Sequence, residues 1–257
     1  MSDMQENDAV DLASKVEGLG VLVGIDGPSG SGKSTISRQV ANDLGLAFLE
    51  TGAMYRALTW LCLQRGVDVA DAEAVREVAE DLGFRSEGTV DEPQFFVGET
   101  NVTSALRESE VAGAVSTVSG HPLVREKMVS AQRNEMLKAK KRGEGMVAEG
   151  RDITTVVCPD ADVLVLLQAD PEVRLARRVL ETYGEVTDEG LEEMKALVYG
   201  RDAQDALVTQ FETAREGVTT IDSSQMSVEE VVGEVFRLVH DFVAGEAVSA
   251  PGVEADE

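Results

Sequence analysis

The sequence predicts an α/β protein: a parallel sheet of about five strands flanked by helices, with a small β-containing insertion. Three observations carry this. Short apolar runs at 21–25, 46–49, 146–149, 161–169 and 218–222 read as buried strands, because both faces of a parallel sheet are covered. Segments with apolar residues at helical spacing separate most of them, as crossover connections require. Between 84 and 104 the rhythm breaks into β-type residues, turn clusters and a proline.

In chain order, residues 1–19 are polar and read as a loose acidic arm. The strand VLVGI (21–25) ends at Asp26. Ile36, Val40 and Leu44 share one face of a helix that begins near Ser34. LAFL (46–49) is the second strand and 52–64 the next helix, closing a βαβ unit. Helix 71–82 and two or three short antiparallel strands in 84–104 belong to an insertion at about 66–120. Two helices follow, the second entered through Pro122. MVAE (146–149) and the very apolar ADVLVLLQA (161–169), expected at the sheet centre, restore the alternation. A helix from Pro171 leads into a charged helical segment at 183–215. VTTID (218–222) is the last strand, and Val228, Val231, Val232, Val235 and Val239 form the stripe of a closing helix. The core is thus expected at 20–65, 121–182 and 216–245 of a domain spanning 20–245, with 246–257 a disordered acidic tail.

Composition narrows the function. The 257 residues are 43% apolar but only 4% aromatic, so the core rests on aliphatic side chains. Asp and Glu outnumber Lys and Arg by 48 to 23, a formal charge of -25, which opposes approach to nucleic acid or an anionic membrane. Two histidines and two distant cysteines, Cys62 and Cys158, leave no material for a histidine zinc site or a Ser-His-Asp triad. No apolar run is long enough to span a bilayer, and the first 20 residues lack the apolar stretch of a secretory signal. A cytoplasmic, monomeric protein is expected.

GPSGSGKS (27–34) matches G-x-x-x-x-G-K-[ST], with a strand before it and a helix after it. Glycines let successive backbone N–H groups turn toward an anion, and the helix N-terminus adds partial positive charge. This predicts a P-loop NTPase fold that binds ATP or GTP, with Gly27, Pro28, Ser29, Gly30, Ser31, Gly32, Lys33, Ser34 and Thr35 as the ATP-binding residues of a kinase. Lys33 would bridge the β- and γ-phosphates and Ser34 would ligate Mg²⁺, with Asp26 near the ion. A GTPase would need a guanine-reading N-K-x-D and a D-x-x-G after a strand; neither stands in suitable context. Arg56, Arg125 and Arg151 instead supply the second anion site of a small-molecule kinase.

At ETGAMYR (50–56) and AEGRDITTVVCPDA (148–161) the chain closely resembles the bacterial cytidylate kinase family, over about residues 21–243. The resemblance implies transfer of the ATP γ-phosphoryl group to CMP or dCMP, with Mg²⁺. It implies a monophosphate-binding insertion and a helical lid at 183–215, with the lid arginines Arg174, Arg177 and Arg178 on the helix leading into it. Lys33, Arg56 and Arg151 would be catalytic, the two arginines holding the acceptor phosphate. Ser116, Arg125 and Asp152 would read cytosine, Arg201 and Asp205 would meet the ribose, and Thr51 and Tyr55 would shape the pocket.

Two positions depart from the family pattern. Val208 stands where an arginine is usual, with Arg215 as a substitute cation, and Thr154 replaces a glycine after Asp152. Two alternatives stay open at this level: another small acceptor such as UMP, or a non-catalytic nucleotide-dependent regulatory protein.

Overall fold

The computed structural model describes residues 3–206, 209 and 213–245, with side chains at all of these except 3–8, 196, 197, 201 and 204–206. Val208 and the tail expected from 246 lie outside the described residues. In chain order the elements are α1 (Asp3–Val16), β1 (Leu22–Asp26), α2 (Lys33–Leu44), β2 (Ala47–Glu50), α3 (Thr51–Gln64) and α4 (Ala72–Glu80). Then come β3 (Phe84–Gly88), β4 (Pro93–Val97), β5 (Thr100–Asn101), α5 (Ser109–Gly120), α6 (Pro122–Arg142) and β6 (Met146–Gly150). A π-helical turn (Ile153–Val157) precedes β7 (Val163–Gln168), α7 (Pro171–Tyr183), α8 (Asp188–Ala206), β8 (Thr219–Asp222) and α9 (Val228–Ala244).

The main sheet has five strands in the order β2-β6-β1-β7-β8, all parallel. β1 holds the centre. The 161–169 run is interior but one place off it, between β1 and β8. Non-sequential neighbours bring distant segments to one sheet edge: Asp26 is in register with Gly150 and with Leu166. The glycine loop and the turn after β6 therefore leave the sheet side by side, at the carboxyl ends of the strands where open α/β sheets bind ligands.

Each face of the sheet covers its own core. On one side Val23, Ile25, Val147, Val165 and Leu167 pack against Ile36 and Val40 of α2 and Val235 and Leu238 of α9. Ser227 and Glu230 close a capping box at the start of α9, satisfying donors the helix end would leave open. On the other side Leu58 and Leu61 of α3 meet Val124, Met128 and Met136 of α6. Val75, Phe95, Val97, Leu106 and Val115 belong to that same cluster, so the β3-β4-β5 antiparallel sheet and its flanking helices extend the main core rather than forming a separate one. Cys62 and Cys158 are free and buried, and burial pushes the Cys62 thiol up to about 11. No helix among the described residues is long and apolar enough to cross a membrane.

The amino-terminal segment differs from the loose arm expected of it. Asp3–Val16 is a helix packed on α2 and α9, and Leu12 and Val16 sink into the core beside Val40 and Leu238. The polar residues dominate the composition, but Ala9, Leu12 and Val16 recur at helical spacing and bury one narrow stripe. A cavity of about 430 Å³ lies in this region, lined by Leu12, Gln39, Val232 and Phe236, away from the glycine loop. Leu12→Ala is expected to lower stability by about 2–4 kcal/mol in urea unfolding. A loose arm would leave the midpoint unmoved.

Candidate active site

The loop between β1 and α2 is shaped by close packing. Gly30 has φ of 75°, and a Cβ there would stand 2.4 Å from the Arg174 carbonyl oxygen of α7. Gly27 approaches the Leu167 carbonyl of β7 so closely that a Cβ would meet it at 2.3 Å. Any side chain at either position would push the loop off the sheet. α2 starts directly after the left-handed Gly32, so its first N–H groups face the loop. Lys33 Nζ donates to the Pro28 carbonyl at 3.2 Å, across the loop's width.

Beneath the loop, Ser34 Oγ donates to Glu149 Oε1 at 2.8 Å. Glu149, one residue before the end of β6, is 4% exposed, and its Oε2 has no hydrogen-bond partner among the described residues. Burial raises the Glu149 pKa above the ordinary carboxylate value, while Lys33 pulls it back and Glu50 adds to the rise. An orphaned carboxylate oxygen next to a serine hydroxyl offers the oxygen donors a hard cation takes. Asp26, expected near the ion, is bonded to the turn after β6. Its Oδ1 accepts from the Ile153 N–H (2.9 Å) and its Oδ2 from the Thr154 N–H and hydroxyl (both 2.7 Å). Those bonds occupy both oxygens, and Glu149 is the carboxylate beside Ser34.

Burial pushes Asp26 up to about 6; the bonds from Thr154 and Ile153 oppose that rise and Asp152 adds to it. Thr154, the residue that replaces a glycine after Asp152, pins this turn to β1 through its N–H and hydroxyl.

The second anion site gathers at the ends of β2 and β6. Thr51 Oγ1 donates to the Glu149 carbonyl at 2.8 Å, stitching the start of α3 to β6. Arg56 pairs with Glu50, which also binds Arg38 at 3.1 Å. Arg125 of α6 pairs with Asp152 and reaches the Ser119 carbonyl at 3.5 Å. Ser116, half-buried on α5, lies one turn before Ser119, whose hydroxyl donates to its carbonyl. Tyr55 is buried near this pair, and burial together with Asp152 pushes its phenol upward. Gln132 lies beside the Tyr55 hydroxyl without reaching hydrogen-bond geometry. Arg151 Nη1 donates to the Gly27 carbonyl at 2.5 Å, placing its guanidinium between the loop and the second site. Arg201 lies on α8 and Asp205 four residues on, but their side chains lie outside the described residues.

The three helix arginines separate. Arg174 reaches the loop, donating to the Ser29 carbonyl at 2.9 Å. Arg177 binds Ser223 Oγ (3.0 Å) and the Ser223 carbonyl (2.7 Å) beyond β8. Arg178 faces solvent and pairs with Glu181. Arg215 is bound to the Thr154 carbonyl of the π-helical turn and to the Pro159 carbonyl just beyond it. Next to the loop a cavity of about 320 Å³ opens between Pro28, Gln168, Asp170, Arg174, Asp202 and Asp222. Glu149 and Asp202 escaped sequence reasoning as site residues. Each adjoins a motif, but only the sheet register and the return of α8 reveal what it touches.

A family model described as Cytidylate kinase matches residues 23–241. A protein named cytidylate kinase from Cutibacterium acnes is 40% identical over 220 residues, covering 85% of this chain and 96% of that protein. One of the same name from Streptomyces avermitilis is 38% identical, covering 86% and 93%. A third, from Mycobacterium leprae, is 39% identical, covering 85% and 95%.

The Asp26 brace has a measurable signature. With a folded pKa of about 6 against 3.8 unperturbed, Asp26 holds a proton in the folded chain that the unfolded chain has lost across that window. Its contribution to stability therefore falls as pH rises through the window and is level above it. The Thr154 hydroxyl donates to the ionised carboxylate. Thr154→Val is accordingly expected to cost about 1–3 kcal/mol near pH 7.5 and clearly less below about pH 5 in urea unfolding. A penalty independent of pH would exclude the hydroxyl as a partner of the charged form.

Proposed function

The chain belongs to the cytidylate kinase family, and from that premise we propose that it transfers the γ-phosphoryl group of ATP to CMP or dCMP, giving ADP and CDP or dCDP. The observation that carries the reading is Arg151. It is anchored to the glycine loop through the Gly27 carbonyl and follows directly on the strand beside β1. A guanidinium there can touch a donor phosphate on one side and an acceptor phosphate on the other.

In this reading the backbone N–H groups of 27–34 hold the ATP phosphates, and Lys33 swings from the Pro28 carbonyl to their oxygens. The cavity beside Pro28 and Asp170 receives the donor's nucleoside. Arg56 and Arg151 hold the acceptor phosphate and align it for in-line attack. Its attacking oxygen is ionised at neutral pH, so the site needs no general base. The two histidines are accordingly free for other work: His121, for example, hydrogen-bonds the Val69 carbonyl at 2.7 Å. Arg125 donates to the O2 and N3 acceptors of cytosine together with Ser116, and Asp152 accepts from its N4 amine. Uracil or a purine would leave members of the buried Arg125–Asp152 pair mismatched, which separates acceptors.

The Ser34 hydroxyl and the unpartnered Glu149 oxygen suit Mg²⁺, whose other ligands would be phosphate oxygens and water. Bound there, the ion would neutralise charge on the β- and γ-phosphates. Arg201 and Asp205 remain the ribose contacts by position, and a monomer acting in the cytoplasm completes the reading.

A coupled ADP-release assay with CMP, dCMP, UMP and AMP offered in parallel tests it. Turnover is expected with CMP and dCMP; a clear preference for UMP or AMP would sink the cytosine assignment, and silence on all four the kinase itself. Arg151→Ala is expected to lower kcat by about 10²–10³ while leaving the ATP KM within about threefold. Equal damage to both parameters would place this guanidinium on the donor alone.

A further inference from the structure

Asp202 is 8% exposed on α8, and its carboxylate lies in the glycine loop. Oδ1 accepts from the Ser29 N–H at 3.0 Å and stands 3.7 Å from Arg151 Nη2. Oδ2 is paired with Arg174 Nη1, which donates at the same time to the Ser29 carbonyl. Arg174 Nε is bound to the Ala169 carbonyl at 3.2 Å, fixing the guanidinium against the loop. One backbone N–H of the loop and two guanidiniums thus converge on a single carboxylate.

That donor set is the one a phosphate would use: an N–H of a glycine-rich loop with flanking arginines. A carboxylate offering two oxygens is the closest side-chain counterpart of a phosphate edge. The Ser29 N–H cannot donate fully to both, so a phosphate entering here must release Asp202.

We propose that Asp202 is an internal competitor for the phosphate-binding loop, resting on the reading of that loop as the ATP site. While the carboxylate is seated, it neutralises Arg151 and Arg174 and ties α8 to the loop. A polyphosphate with several contacts displaces it; a single weakly held phosphate competes poorly. Displacement frees the two arginines at the moment a more highly charged anion has arrived, and frees α8 from its anchor. The apparent affinity for the donor is lowered by the fraction of molecules in which Asp202 is seated.

Isothermal titration of ATP and of pyrophosphate, each into the wild-type chain and into Asp202→Asn, tests the competition without any acceptor present. The substitution keeps the side chain's volume and removes its charge, and a thermal melt checks that the variant is folded. Dissociation constants for both ligands are expected to fall about fivefold to tenfold in the variant. Unchanged or weaker binding would overturn the proposal, because a carboxylate that merely holds the arginines in place for ATP would weaken binding when neutralised.

A second measurement needs no variant. Amide hydrogen exchange across α8 of the wild-type chain is expected to speed up on adding pyrophosphate, and unchanged or slower exchange would overturn the proposal. Turnover with CMP enters neither readout, so a failure of the kinase reading and a failure of the competition are seen separately.

Discussion

Asp26 holds the two halves of the site at one spacing. It ends β1, where the glycine loop begins, and its two oxygens grip the backbone and side chain of residues 153 and 154, just after Arg151 and Asp152. The glycine loop and the turn that carries Arg151 are thereby referred to one buried carboxylate. A transfer reaction that offers little covalent chemistry depends on such spacing. The cost is a buried charge, visible in the rise of Asp26 to about 6. Three donors offset much of that cost, and Thr154 supplies two of them, one from its backbone and one from its hydroxyl.

Around this brace the chain concentrates opposite charges. The surface is strongly acidic, yet the ligand-facing strand ends collect Lys33, Arg56, Arg125, Arg151 and Arg174. Each of these arginines faces a carboxylate or carbonyl in the folded chain: Glu50, Asp152, Gly27 or Asp202. Buried guanidiniums without such partners would be expensive. The partners also define what a ligand must do, since a phosphate or a base has to offer at least as much as the side chain or carbonyl it replaces. Net charge sets which macromolecules stay away, and local pairing sets which small anions are admitted.

The sheet order gives this arrangement its reach. Because β6 lies between β2 and β1, residues about 50, 26 and 150 end at one edge although a hundred positions separate them in the chain. α8 returns to the same edge from the far side and brings Asp202 to Ser29, 173 residues away in sequence. The glycine loop, Arg151 and the segment expected to act as a lid therefore share contacts, and a change at one is felt at the others.

The sequence by itself determined the parallel sheet, the order of its strands along the chain, the glycine loop, and the second arginine cluster that marks a kinase of the cytidylate kinase family. The first three follow from local signals: apolar runs, helical spacing, and the glycines a phosphate loop demands; the family follows from the resemblance at ETGAMYR and AEGRD. Tertiary structure decided the rest. It turned the acidic first segment into a packed helix, because three small or aliphatic residues among many polar ones find a groove between α2 and α9 only once those helices exist. It set the Glu149 carboxylate against Ser34, gave Asp26 to the turn after β6, made Thr154 a brace, bound Arg215 to that turn, and seated Asp202 in the loop. Each of these is a contact across 60 or more residues. What a buried polar side chain does depends on its partner, and the partner is chosen by the register of strands and the return of helices, which no local pattern records.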